Sequence, residues 1–576
     1  MSRIWTVGKR TFLPLGLVFV CLLMWSSQVS ANVAPEYRRS LRKVSSHQKN
    51  EFAKRAHDVG RFKLPISNYG VHGQHETAVG SGGEWPNGSR DYYIFGAGIW
   101  IAGKVPGDPE GRVAVGYNPN SAAFEMYPGA LPNNDGEVGP MEILYLSTDG
   151  EDYANWPLRN PDGTPKIVSV QDSWATYNDM NPAWTFSTEK PLGVQVIQRG
   201  YAWNYTTNQD IVFLEFNIIN ITNDPLYPAA ADKFDPSTPA PPPNTTLMDM
   251  YIGPCVDPDI GRATDDMLDF DPSRNLGIAW DFDGKEANFD LDLDGDGEIG
   301  DTGVLGYDFL ESPIADRDVD VNGDGVVNDD SVNFGTADKP IWVKDVHKGE
   351  QLGLTAFKIF VLQIDPRTDQ ERYDLMAGYD YRTMIPGGDS VYVPFDVDTA
   401  PEDKRFIQCT GPFNLAPGDT VRTVVAIMVG ANMDDLKRLS DVAQAIYDNG
   451  YFLPRPPIAP NLKAIEGDRM VTLVWDDSPE TAEDPFAAVA LDPNSVFYDP
   501  NYVAQDFQGY RVYRSLTGVP GSWTMLAQYD KKDGITARID TVIEQGLKIP
   551  VRVEVGTDTG LQHHYVDTDV KNGVAY

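Results

Sequence analysis

Two short stretches carry the residues best suited to chemistry. They are Asp292-Leu293-Asp294-Gly295-Asp296-Gly297-Glu298-Ile299 and Asp320-Val321-Asn322-Gly323-Asp324-Gly325-Val326-Val327-Asn328. In each, oxygen-bearing side chains stand at positions one, three and five, a spacing that lets a curling chain converge them on one cation. A glycine at position six allows the sharp turn, and position seven (Glu298 or Val326) offers a backbone carbonyl. An apolar residue at position eight, Ile299 or Val327, is expected to pin each loop to the protein. The chemistry predicted is calcium coordination by hard oxygen donors. The predicted ligands are Asp292, Asp294, Asp296, Glu298 and Asp301 in the first loop, and Asp320, Asn322, Asp324, Val326 and Asn328 in the second. Residues 281–330 hold seventeen Asp or Glu against only Lys285 and Arg317, so their mutual repulsion opposes compactness unless cations neutralise it.

These loops resemble those of EF-hands, dockerins and thrombospondin-type calcium repeats. They depart at position twelve, where an EF-hand has Glu and this chain has Gly303 and Ser331. Asp301, Asp329 or Asp330 is available as a substitute, and the flanks do not read as paired helices. The expectation is therefore loops without the full helix–loop–helix, with affinity in the roughly 0.1–1 mM extracellular class. A further acidic group, Asp257, Asp259, Asp265 and Asp266, reads either as another cation site or as a turn between strands.

The elements that must hold these loops read as β-structure. The predicted fold is mainly β, built of multi-domain antiparallel β-sandwiches with one helix near 434–448. Strand-like runs occupy 92–101, 193–203, 210–220, 352–364, 391–395 and 421–429, broken by Gly, Pro and Asn turns. In the run 210–220, Glu215 and Asn217 predict a sheet with one wetter face. The helix places Leu436, Leu439, Ala443, Ile446 and Tyr447 on one side, with Asn432 or Asp434 to cap it and Gly450 to end it. Residues 227–245 form a Pro-rich loop, and 281–332 a calcium-loop insertion. Four prolines within 454–460 mark a linker, which separates a large region, 61–453, from a C-terminal module, 461–576.

That module resembles a fibronectin type III domain. The phrases that carry the resemblance are Met470–Trp475, Phe507–Arg514, Trp523–Ala527 and Tyr565–Asp567 followed by Asn572–Tyr576. It implies an Ig-like sandwich with adhesive or spacing duties rather than catalysis. An acidic insertion, 479–505, separates the first two core strands. The chain also stops where the penultimate strand begins, which predicts a C-terminally truncated sequence. Residues 61–450 are similar to segments of secreted bacterial proteins, many of which end in a sorting domain for type IX secretion. Such a domain would lie beyond Tyr576.

Arg3, Lys9 and Arg10 precede the apolar run from Phe12 to Trp25, and Val29-Ser30-Ala31 supplies small residues for cleavage. Residues 1–31 therefore read as a signal peptide. The run is short for the ~20 residues of a spanning helix, and no later stretch could span a membrane. An N-terminal arm, 32–60, follows. Cleavage removes three positive charges and takes the net charge from −37 to −40. A surface so acidic disfavours nucleic acid and favours cations. Destination and charge together predict a secreted or cell-surface protein whose partner is an unidentified extracellular protein or polysaccharide. Cys255 and Cys409 remain in the mature chain, either paired or as separate buried thiols.

No motif of a known catalytic mechanism occurs: there is no G-x-S-x-G, H-E-x-x-H or Walker loop. His72 and His75 lack the partners for a zinc set. The function predicted is a calcium-binding structural or adhesion protein with no evident catalytic site. The rival is a carbohydrate-binding or glycoside hydrolase-like protein, with Trp85, Trp100, Trp174, Trp184 and Trp203 as candidate sugar-stacking surfaces.

Overall fold

The computed structural model describes residues 52–576 apart from 78–79, 132–137, 187–188, 206, 336–339, 385–389, 454–456, 494, 496, 499, 501, 506, 517–522, 545–546, 555 and 575. The signal peptide, most of the arm and the start of the proline linker lie outside the described residues. The fold is mainly β, with several antiparallel sheets.

Two nine-stranded sheets dominate. In the first, the hydrogen-bonded order runs Lys54–His57, Leu64–Ser67, Val71–His72, Tyr92–Lys104, Leu247–Pro258, Lys404–Leu415 and Ala356–Val361. In the second, it runs Asp266–Asp271, Leu276–Asp281, Val304–Glu311, Thr420–Gly430, Ile211–Asn220, Val194–Ala202, Gln171–Asn178 and Tyr127–Pro128. The sheets share one core. Ile99, Ile101, Ile252, Val256 and Phe406 from the first meet Val212, Leu214, Phe216, Val425 and Ile427 from the second. Phe357 stacks on Phe270 of the opposite sheet at 5.0 Å between ring centres.

The outer faces are also covered, which explains why the central strands read as near-continuous apolar runs. Val424, Ala426 and Met428 alternate with the core-facing residues of their strand and point the other way. There they meet Leu436, Leu439, Ala443 and Ile446 of the helix Met433–Asp448. That helix is capped as its sequence predicts, with the Asn432 side chain accepting from the Asp435 N–H at 3.0 Å. On the first sheet, Trp100, Val113, Val115, Cys255, Ile407 and Cys409 pack under Tyr373, Leu375 and Met376 of a second helix, Asp369–Met376.

Several expectations change. The 210–220 run has no wet face at Glu215, which is 4% exposed and bridged to Arg199 at 3.2 Å. The arm ends earlier than residue 60, because Lys54–His57 already pairs with Leu64–Ser67 at the sheet edge. The Pro-rich stretch holds a short helix, Tyr227–Ala231, and the buried Tyr227 hydroxyl donates to the Pro241 carbonyl at 2.9 Å. Cys255 and Cys409 are both buried free thiols.

Toward the C-terminus, Leu462–Gly467, Met470–Trp475 and His564–Asp567 form one sheet, and Gly509–Arg514 pairs with Thr524–Asp530. Trp475, Phe507, Tyr510 and Val512 make their common core. A further hairpin, Ala537–Glu544 with Leu547–Glu554, was not expected. The acidic insertion 479–505 carries apolar anchors. Its Phe486 and Ala490 are buried against the cluster around helix Met433–Asp448.

Candidate cation-binding loops

The first Asp-rich loop lies in the connection between two neighbouring strands, Leu276–Asp281 and Val304–Glu311, which pair antiparallel. Its base is closed by an antiparallel bridge between Lys285 and Asp301 and by the Glu286 N–H donating to the Gly300 carbonyl at 2.7 Å. The second loop lies in the longer excursion from Glu311 to Ala356. An antiparallel bridge there pairs Val319 with Val346. Stepping one residue from that bridge in each strand brings Asp320 opposite Asp345.

The two loops repeat the same hydrogen bonds. Asp292 accepts from the N–H groups of Gly295 and Gly297 at 2.7 and 3.1 Å. Asp320 accepts from Gly323 and Gly325 at 2.7 and 2.9 Å. The Asp296 N–H donates to Asp294, as the Asp324 N–H does to Asn322, at 3.0 Å in both. Gly295 and Gly323 have φ of 78° and 71°, and Gly297 and Gly325 have 88° and 87°, the left-handed conformation that the turn requires of glycine.

Carboxylate oxygens converge in each loop. Asp292, Asp294 and Asp301 offer oxygens within 4.8 Å of one another, and Asp320, Asp324 and Asp345 do the same. Metal–oxygen distances of about 2.3–2.6 Å place opposite ligands about 5 Å apart, so both sets fit one ion. These acidic clusters can therefore hold a metal. Asp296 and Glu298 are not in the convergent set. The Asp296 carboxylate instead accepts from the Glu298 N–H at 2.8 Å. In the second loop the Asn328 side chain donates to the Val326 carbonyl at 3.2 Å.

The residue closing each set replaces the missing position-twelve acid. In the first loop it is Asp301, named from sequence. It accepts from the Leu293 and Asp294 N–H groups at 2.6 and 3.2 Å. Burial would raise its pKa, but the Lys285 ammonium at 2.5 Å and these two N–H donors outweigh burial and lower it. In the second loop it is Asp345, which sequence reasoning missed. Asp345 accepts from the Asn322 and Asn328 N–H groups at 3.1 and 3.0 Å and is 7% exposed. The alternative Asp329 points away, its side chain 95% exposed beside His347.

The apolar anchors also differ from expectation. Ile299 is 59% exposed. Phe289 and Leu291 plug the core instead in the first loop, and Val321 does so in the second. In the first loop the anchors precede the ligand run, and in the second Val321 sits inside it, between Asp320 and Asn322. The Tyr392 hydroxyl braces the second loop by donating to the Val321 carbonyl at 3.2 Å.

The third acidic group is divided by the fold. Asp257 is buried beside Arg405 at 3.0 Å and accepts from the Tyr117 hydroxyl at 3.1 Å. Burial pushes its pKa well up, and the guanidinium opposes that. Asp259 accepts from Ser81 at 2.9 Å, and burial pushes it up to about 7. Asp265 and Asp266 lie at the open end of the edge hairpin, where Asp266 is close enough to Asp259 for their charges to repel.

Of the candidate sugar-stacking side chains, Trp85, Trp100, Trp174 and Trp203 are buried. Trp184 is half-buried and stacks on Phe124 at 5.4 Å. No helix among the described residues is long and apolar enough to cross a membrane. Compared with known proteins, the chain matches no family profile and no curated sequence.

Proposed function

We propose that this chain is a secreted or cell-surface calcium-binding structural protein of adhesive or spacing type. Ions at its two Asp-rich loops turn a self-repelling segment into a rigid one. The observation that carries this reading is the matched convergence of Asp292, Asp294 and Asp301 in one loop and Asp320, Asp324 and Asp345 in the other. Two loops separated in sequence arrive at the same hydrogen-bond pattern, and each is completed by a buried carboxylate from outside the ligand run. All the donors are oxygens, which suits calcium above softer metals. Secretion is supported by the basic, apolar and small-residue succession of residues 1–31. The adhesive or spacing role is supported by the resemblance of 461–576 to a fibronectin type III domain, of whose phrases Met470–Trp475, Phe507–Arg514, Trp523–Ala527 and Tyr565–Asp567 reach paired strands near Trp475, while Asn572–Tyr576 does not.

The test is thermal melting of the intact chain in chelator and in millimolar calcium. Binding to the folded state alone raises the midpoint through linkage. An unchanged midpoint and no heat of binding would overturn the proposal.

A further inference from the structure

Separate from both loops, four carboxylates crowd the open end of the edge hairpin. Strands Asp266–Asp271 and Leu276–Asp281 pair so that Asp266 stands opposite Asp281. A single turn of 3-10 helix, Ala263–Asp265, delivers Asp265 to the same end. Glu286 joins them from the base of the first loop. Its carboxylate accepts from the Arg262 N–H at 2.7 Å and packs so closely on Gly261 that a Cβ there would sit 2.3 Å from Glu286.

Oxygens of Asp265, Asp281 and Glu286 lie within 4.8 Å of one another. Two of these carboxylates keep a buried oxygen that no donor reaches. Asp281 is 1% exposed; one oxygen accepts from the Lys285 N–H at 3.1 Å, and the other, Oδ2, is buried with no hydrogen-bond partner. One oxygen of Asp265 pairs with the Arg262 guanidinium, while Oδ1 is buried and unpartnered. Asp266 is fully buried, with the Ile260 N–H and the Asp259 carboxylate as its neighbours. Unsatisfied buried carboxylates are costly, and several together are more so. The single neighbouring guanidinium, on Arg262, cannot balance them.

We infer that Asp265, Asp281 and Glu286, backed by Asp266, form a third divalent-cation site, buried at the sheet edge and of the all-oxygen calcium class. The ion supplies the partner that Asp265 Oδ1 and Asp281 Oδ2 lack. It also ties the edge hairpin to the start of the first loop through Glu286, so that this site fixes the loop's base rather than its tip.

The test counts calcium bound to the full chain by equilibrium dialysis against calcium chloride. It compares the wild type, Asp281→Asn, and a loop variant carrying both Asp292→Asn and Asp345→Asn. The expected counts are three ions, two ions and one ion. A loop variant that binds none, or an Asp281→Asn chain that binds as many as wild type, overturns the third site. A wild type that binds one ion, lost in Asp281→Asn and kept in the loop variant, upholds this site while refuting the loops. Should Asp281→Asn fail to fold, the ion retained by the loop variant still decides the matter, because that variant leaves the hairpin untouched.

Discussion

Replacing Asp345 by Asn tests the second loop at the residue that the motif does not contain. In chelator the variant keeps one acceptor and turns an amide toward the other backbone N–H, so it forfeits one charge-assisted hydrogen bond. The cost is about 1–3 kcal/mol, reduced by the relief of repulsion when one negative charge leaves the cluster. In calcium a second term appears. For a dissociation constant of roughly 0.1–1 mM, 10 mM free ion stabilises the folded state by about 1.4–2.7 kcal/mol per occupied loop. Asp345→Asn removes the share of the second loop and leaves that of the first. The stability gap between variant and wild type should therefore widen on going from chelator to 10 mM calcium, by up to that amount. Urea unfolding in the two conditions measures it. Asp329→Asn, whose side chain is 95% exposed, serves as the control and should change neither value. A gap of equal size in chelator and calcium would refute the reasoning, because it would make Asp345 a hydrogen-bond acceptor and nothing more.

Other outcomes follow from single side chains. Gly295→Ala should cost about 1 kcal/mol, since its φ of 78° disfavours a side chain but the space is open; Gly323→Ala should cost more, because its Cβ would lie 2.8 Å from the Tyr392 ring. Calorimetric melting of both variants ranks them. Asp308, buried under the helix Met433–Asp448 and hydrogen-bonded to Ser440 at 2.6 Å, is pushed by burial from 3.8 up to about 7. Its unfolded form ionises first as pH rises, so its contribution to stability is complete below pH 4, falls between pH 4 and 7, and is lost above. Asp308→Asn should abolish that slope and stabilise the protein at pH 8, by on the order of 4 kcal/mol at most, read from urea midpoints at pH 5 and 8. Cys255 and Cys409 are fully buried, and burial raises both thiols well above their ordinary pKa. Both should resist a thiol reagent at pH 8 in the native state and react once denaturant is added, as peptide mass spectrometry would show.

Local pattern was legible in the sequence wherever one residue type performs one local task. The helix Met433–Asp448 declared itself by its apolar stripe and cap, and Ile211–Asn220 by its β-branched and aromatic run. The glycines of both loops marked the left-handed turns that the structure contains. What escaped was decided by partners distant in the chain. Nothing near Asp345 resembles a ligand motif; it becomes one because Val346 pairs with Val319. Glu215 looked solvent-facing because its alternation is normal for a half-exposed strand, yet Arg199 on the next strand lets it be buried. The helix Asp369–Met376 has no clean apolar stripe, and its only local signal is the capping box formed by Thr368 and Glu371. The acidic insertion hid Phe486 among carboxylates, and only the fold shows it docking beside Phe452 at 6.0 Å.

The connection that carries the first loop starts and ends on adjacent, hydrogen-bonded strands. Sheet formation has therefore already spent the entropy of bringing its ends together, and a cation bound there would meet a preorganised ring rather than a wandering chain. An excised peptide spanning 282–303 would have to supply that ordering from its binding energy, and is predicted to hold any cation more weakly than the proposed site in the intact chain.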